Sequence, residues 1–136
     1  MDSAIADPLP MIASDGEILP DGHGHPRSAG THARVLGQLV RERQVLPLML
    51  ALKKMTLMPA ELLASRVPAM RNKGRVRVGA DADVTLFDPD RVIDRATFRE
   101  PTAAPIGIDV LVLGEPVVHN GRIEDGVLPG RPIRPS

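Results

Sequence analysis

The sequence predicts an α/β segment followed by β structure, and three observations carry that fold class. An apolar run, LPMIAS at residues 9–14, stops at Asp15-Gly16. Apolar residues then recur with a helical period through residues 33–65. From Gly74 onward the pattern changes to short, turn-bounded apolar stretches suited to antiparallel strands.

Each element follows in chain order. Residues 9–14 read as a short buried strand between Pro and Asp-Gly. Residues 15–32 read as a loop, with Gly16, Gly22, Gly24, Gly30, Pro20 and Pro26 breaking regular structure and His23, His25 and His32 within it. A loop of that length inside a compact domain is more often functional than idle. Val35, Leu36, Leu39 and Val40 mark one face of a helix. Pro47 and Pro59 suit the first turns of two more helices, where a proline gives up a hydrogen bond that would have no partner anyway. Val76 and Val78 begin an alternating stretch that leads into Val84 and Leu86 and ends at Asp88-Pro89. Two further strands flank Gly114-Glu115, and Asn120-Gly121 is a hairpin signal. The tail PGRPIRPS holds too much proline to fold by itself. Residues 1–70 and 71–136 therefore read as two units.

Composition narrows the function classes. Lys+Arg and Asp+Glu balance at 17 each, so no basic face predicts nucleic acid or an anionic membrane. No apolar run approaches the roughly 18 to 20 residues needed to span a bilayer. The acidic, Pro-containing N-terminus has no basic-then-apolar leader pattern. With no cysteine, disulfides and thiol catalysis are excluded, which suits a cytoplasmic protein. Phe87 and Phe98 are the sole aromatic residues against 12 Gly and 14 Pro, a composition rich in loops and poor in large core side chains.

Many ordered motifs carry a family resemblance. They include Ser14-Asp15-Gly16, His25-Pro26-Arg27, Arg34-Val35-Leu36-Gly37, Lys54-Met55-Thr56 and Pro59-Ala60. Ala82-Asp83-Val84, Phe87-Asp88-Pro89, Ala96-Thr97-Phe98 and Asn120-Gly121 continue the series. In this order they resemble the C-terminal portion of metal-dependent amidohydrolases, in the D-aminoacylase (N-acyl-D-amino-acid deacylase) branch. The resemblance implies the end of a (β/α)8 barrel, with strand 9–14 as its last strand, loop 15–32 over the active site and 33–65 as closing helices. It further implies that residues 71–136 form part of a small β-sandwich with a Pro-rich tail. The chain would then begin at an internal methionine of a longer enzyme.

The implied reaction is hydrolysis of an N-acyl-D-amino acid to a carboxylate and a free D-amino acid, with zinc as the cofactor of the complete enzyme. Asp15 is similar to the family's last-strand aspartate, which implies a general base and acid that also contacts the metal. Arg27 suits a substrate carboxylate, since a guanidinium fork binds both oxygens. His25 is a second substrate-side candidate through its place in the same motif. The pair His23 and His25 does not match the family's metal-binding H-x-H, which ends the first barrel strand. His32 departs from an aromatic residue usual in the family. One carboxylate cannot supply the three or more protein ligands of a catalytic zinc, so the chain alone is expected to be inactive.

Partners expected on this reading are the small-molecule substrate and an upstream barrel segment or split-gene partner, with self-association through exposed strand edges. Alternatives are a catalytically inactive remnant, a small β-strand binding module, an amidohydrolase acting on cyclic amides, or a small metal-binding protein using His23, His25 and Asp15.

Overall fold

The computed structural model describes residues 2–17 and 24–134. Helix α1 covers Asp2–Ala6, and the chain then runs without regular structure to residue 17. In this chain residues 9–14, where a strand is expected, form none. A strand exists through the ladder of a neighbour, and the bond from Ile12 N to the carbonyl of Lys54 (3.1 Å) joins this run to a helix instead. The expected loop 15–32 is also shorter, because helix α2 begins at Arg27 and runs to Arg34. Pro26 opens it, with its carbonyl accepting from Gly30 N at 2.9 Å. His23 lies outside the described residues.

Helix α2 passes directly into a π-helical segment, Val35–Glu42, which buries Val35, Leu36, Gly37 and Leu39. Wide turns of this kind are rare in proteins. Here the segment lies close against residues 92–93. A Cβ at Gly37 would stand 2.5 Å from Ile93 Cδ1 and 3.1 Å from Ile93 Cα, so the position accepts only glycine without a shift. Helix α3 spans Leu48–Met55 and α4 spans Leu57–Leu63. Pro47 caps α3 rather than entering it, while Pro59 sits in the first turn of α4, where its missing N–H costs nothing. A 3₁₀ turn at Pro68–Asn72 ends the helical part.

Residues 75–80 form no strand, and Val76 and Val78 are fully exposed, so the alternation read there does not begin the sheet. Strand β1 (Asp83–Phe87) comes first, followed by β2 (Ile108–Leu113), β3 (Pro116–His119) and β4 (Arg122–Ile123). They form one antiparallel sheet in the order β1-β2-β3-β4. Asn120 and Gly121 take φ of 51° and 71°, the paired left-handed conformation a two-residue hairpin requires. The tie from helices to sheet is apolar. Val92 is fully buried with Ala33 and Leu36, and Phe87 and Ile108 pack against that cluster. A second cluster, Val35, Leu39, Leu46 and Ala51, receives Ile5 and Ile12 from the N-terminal run.

Ion pairs reinforce the joint. Arg34 turns its fork onto Asp94, with Nη2 at 2.6 Å and Nε at 3.0 Å from Oδ2. Arg41 is not a free surface charge, since its Nη1 donates to the Val92 carbonyl at 2.6 Å. Arg43 pairs with Asp2. Lys73 bridges Asp83 at 2.5 Å and Asp81 at 2.9 Å, and these bonds, Asp83 foremost, raise its pKa above the ordinary 10.5.

Candidate functional site

The run from Met11 ends in a turn whose backbone is unusual. Asp15 has φ of 49°, a left-handed conformation that aspartate visits more readily than most residues but still at a cost. Gly16 then presses against α2. A Cβ there would lie 2.7 Å from Ser28 Cα, a clash with backbone that glycine avoids. The turn is fastened by the Ser28 hydroxyl, which donates to the Glu17 carbonyl at 2.7 Å and accepts from Glu17 N at 2.9 Å. Both bonds come from the first turn of α2, so the helix start and the turn are one local unit.

Arg27 closes this unit. Its Nε donates to the Asp15 carbonyl at 2.7 Å and its Nη2 stands 3.0 Å from Asp15 Oδ2. The guanidinium thus holds backbone and carboxylate of one residue together. Asp15 remains 85% exposed at its side chain and Arg27 46%, so both keep edges open to a ligand. His25 supports the arrangement from below. Its Nδ1 accepts from Arg27 N at 3.1 Å, and its ring meets Phe98 edge-on at a centroid distance of 5.0 Å. The structure therefore brings together Asp15, Arg27 and His25, which the sequence had singled out separately.

Ser28 was not foreseen, and neither was Phe98 as the neighbour of His25. The serine follows Arg27 with no motif to mark it, and its role depends on a crossing eleven residues away in sequence. His32, in α2, keeps an exposed surface, and partial desolvation by its neighbours lowers its pKa below the ordinary 6.5.

The donor set bears on metal. Asp15 offers a carboxylate already paired with a guanidinium, and among the described residues no group of three or more His, Cys, Asp or Glu converges to hold an ion. A tetrahedral zinc site needs three protein ligands or more. The residues here do not make such a site by themselves.

Comparison with known proteins gives this geometry its context. Residues 2–123 match the amidohydrolase family. The chain is 51% identical over 106 residues to N-acyl-D-glutamate deacylase of Alcaligenes xylosoxydans xylosoxydans, covering 76% of this chain and 20% of that enzyme. It is 38% identical over 130 residues to the N-acyl-D-aspartate deacylase of the same organism, covering 95% and 25%. The fold is similar to that of N-acyl-D-glutamate deacylase from Bordetella bronchiseptica, solved with zinc and a phosphonate mimic of the tetrahedral intermediate. That match has a TM-score of 0.75 at 38% identity, over 90% of this chain and 26% of the other. The chain spans about a fifth to a quarter of the length of the curated relatives it matches. No described helix is long and apolar enough to cross a membrane. Its motifs, its sheet and helices, and the match over residues 2–123 all agree: the chain belongs to the amidohydrolase family.

Proposed function

We propose that this chain is the C-terminal part of an N-acyl-D-amino-acid deacylase, a hydrolase that cleaves the amide to a carboxylate and a free D-amino acid. The observation that carries the reading is the Asp15–Arg27 unit, a carboxylate and a guanidinium held side by side on one exposed turn. Amide hydrolysis needs a base to take a proton from water and an acid to give one to the leaving nitrogen. On this reading Asp15 does both in turn, and the reading is supported by a carboxylate that is anchored through its own backbone and open to solvent.

Arg27 spends Nε and one Nη2 position on Asp15, which leaves N–H donors on its outer edge for the α-carboxylate of the substrate. His25 fixes the backbone of Arg27 and so the direction of that edge. A zinc centre of the complete enzyme would take its other ligands from upstream polypeptide, because Asp15 is a single donor. Residues 1–70 are then the end of a (β/α)8 barrel, and residues 9–14 become its last strand when neighbours supply ladders on both sides. Residues 71–136 are part of a β-sandwich.

The test joins this chain to the upstream segment of the Alcaligenes N-acyl-D-glutamate deacylase and follows release of free D-glutamate from N-acetyl-D-glutamate. Activity is expected in the joined protein, with Asp15→Asn lowering kcat by on the order of 10²–10⁴-fold. Arg27→Ala should act mainly on KM. A folded joined protein that releases no D-amino acid, or that keeps its rate as Asp15→Asn, rejects the reading. Turnover of a cyclic amide instead would assign it to another branch of the family.

A further inference from the structure

Lys54 is the one charged side chain among the described residues that is fully buried, and nothing above uses it. It lies in α3, and its ammonium faces no carboxylate among the described residues. Instead Nζ donates to the Ile5 carbonyl at 2.7 Å and to the Asp7 carbonyl. Those oxygens close the end of α1, where carbonyls lack helical partners. The backbone carbonyl of the same lysine accepts from Ile12 N at 3.1 Å. Lys54 therefore grips the N-terminal run at residues 5, 7 and 12, with Ile5 and Ile12 packed beside it on the helical core.

We infer that Lys54 is a positioning residue that sets where Asp15 sits. In this chain residues 8–17 pair with no described strand, so here their place depends on contacts at the ends of the run. Lys54 holds the upstream part, with its ammonium at residues 5 and 7 and its backbone carbonyl at Ile12, and Ser28 with Arg27 holds the downstream end. A buried ammonium suits this task. It supplies several directed donors from one point, which is how it reaches both the Ile5 and the Asp7 carbonyls. Removing it leaves two carbonyls unsatisfied and frees the run to drift.

The functional meaning rests on the role proposed for Asp15, but the test does not. Of the arginine Nε–H groups that nitrogen-15 spectra of this chain report, two serve the test: Arg27, bonded to Asp15 O, and Arg34, bonded to Asp94. The first reads the position of the Asp15 turn, and the second reads the helix–sheet joint as an internal control. In Lys54→Met the Ile12 amide should exchange at least tenfold faster and the Arg27 Nε–H signal should broaden or vanish, while Arg34 Nε–H persists. Lys54→Arg, which keeps charge and donors, should recover part of the Arg27 signal.

Unchanged Ile12 exchange and Arg27 signal in Lys54→Met overturns the inference. So does equal loss of both arginine signals that Lys54→Arg fails to restore, because the lysine is then only core filling. A third check needs no variant: the wild-type Lys54 ammonium should appear as a slowly exchanging Nζ resonance, and rapid exchange there counts against burial. Should Asp15→Asn prove fully active in the joined enzyme while these spectra behave as expected, the catalytic reading fails and the anchor stands.

Discussion

Substituting Gly37 by alanine sets two opposed effects against each other at one atom. In a helix interior, Gly→Ala is worth about 1 kcal/mol in favour of folding through backbone entropy. Against that stands the place where the new methyl falls. It would lie 2.5 Å from Ile93 Cδ1 and 3.1 Å from Ile93 Cα, with the Val92 carbonyl oxygen in the same space. The Ile93 methyl can rotate aside. The Val92 backbone cannot, because its N–H donates to Asp88 O at 2.8 Å, its oxygen accepts from Arg41 at 2.6 Å, and its side chain is fully buried. Overpacking of a tight core costs about 1–3 kcal/mol, and a backbone obstacle puts this site toward the upper end. The net expectation is a loss of about 1–2 kcal/mol. With a urea slope of about 2 kcal/mol per molar, the midpoint should fall by roughly 0.5–1 M. Far-ultraviolet circular dichroism across a urea series measures it, with Gly130→Ala as the control, since nothing lies within 4 Å of a Cβ there. A midpoint for Gly37→Ala equal to or above wild type would refute the close approach of the π-helical segment to residues 92–93.

Three further outcomes are expected. Gly16→Ala forces the turn off Ser28 Cα, so Arg27 Nε–H should lose its bond to Asp15 O while the helical circular dichroism stays; an unchanged Arg27 resonance contradicts the contact. Partial desolvation lowers the pKa of His32 below 6.5, so the unfolded chain takes up the proton first, and stability should decline as pH falls below 6.5. Urea midpoints at pH 7.5 and 5.5 should differ less in His32→Gln than in wild type, and an equal difference rejects this. Lys73 has a raised pKa, so its ion pairs contribute fully below pH 10.5 and are lost as pH climbs through the folded value. Its NMR titration midpoint should lie above 10.5 and drop in Asp83→Asn, and a midpoint at 10.5 in wild type would disprove the bridge.

Local signals made part of this fold readable. Asn120-Gly121 specifies its turn through backbone preferences that need no distant partner, and the apolar face around Val35 and Leu39 needs only its own period. The elements that this chain does not show as expected depend on distant partners. Residues 9–14 have strand composition, yet a strand requires a neighbour with a matching ladder, and the run meets α3 instead. Val76 and Val78 alternate correctly but pair with nothing described. Arg27 gave no sign of opening a helix because Gly24 and Pro26 beside it read as loop; Pro26 is in fact the cap. Nothing in the sequence marks Lys54 as buried, since burial of a charge is set by what packs over it. At the site, residue identity was legible for Asp15, Arg27 and His25 through their motif, whereas their mutual contacts and the part played by Ser28 were not.

The energetics of the Asp15 turn bear on how Arg27 can serve two anions. An exposed ion pair contributes only about 0–1 kcal/mol, and the Asp15–Arg27 pair is open to solvent on both sides. A left-handed aspartate costs on the order of 1 kcal/mol or more. The ion pair alone therefore does not hold the turn; the Ser28 bonds, the Nε bond to the Asp15 carbonyl and the grip of Lys54 on the run do. On the proposed reading this division matters. The backbone contact from Nε can stay in place while the outer guanidinium leaves the Asp15 carboxylate for that of a substrate, at a cost the weak pair makes small. Position would then be fixed by neutral and buried contacts, and the exposed charges would stay free to change partners.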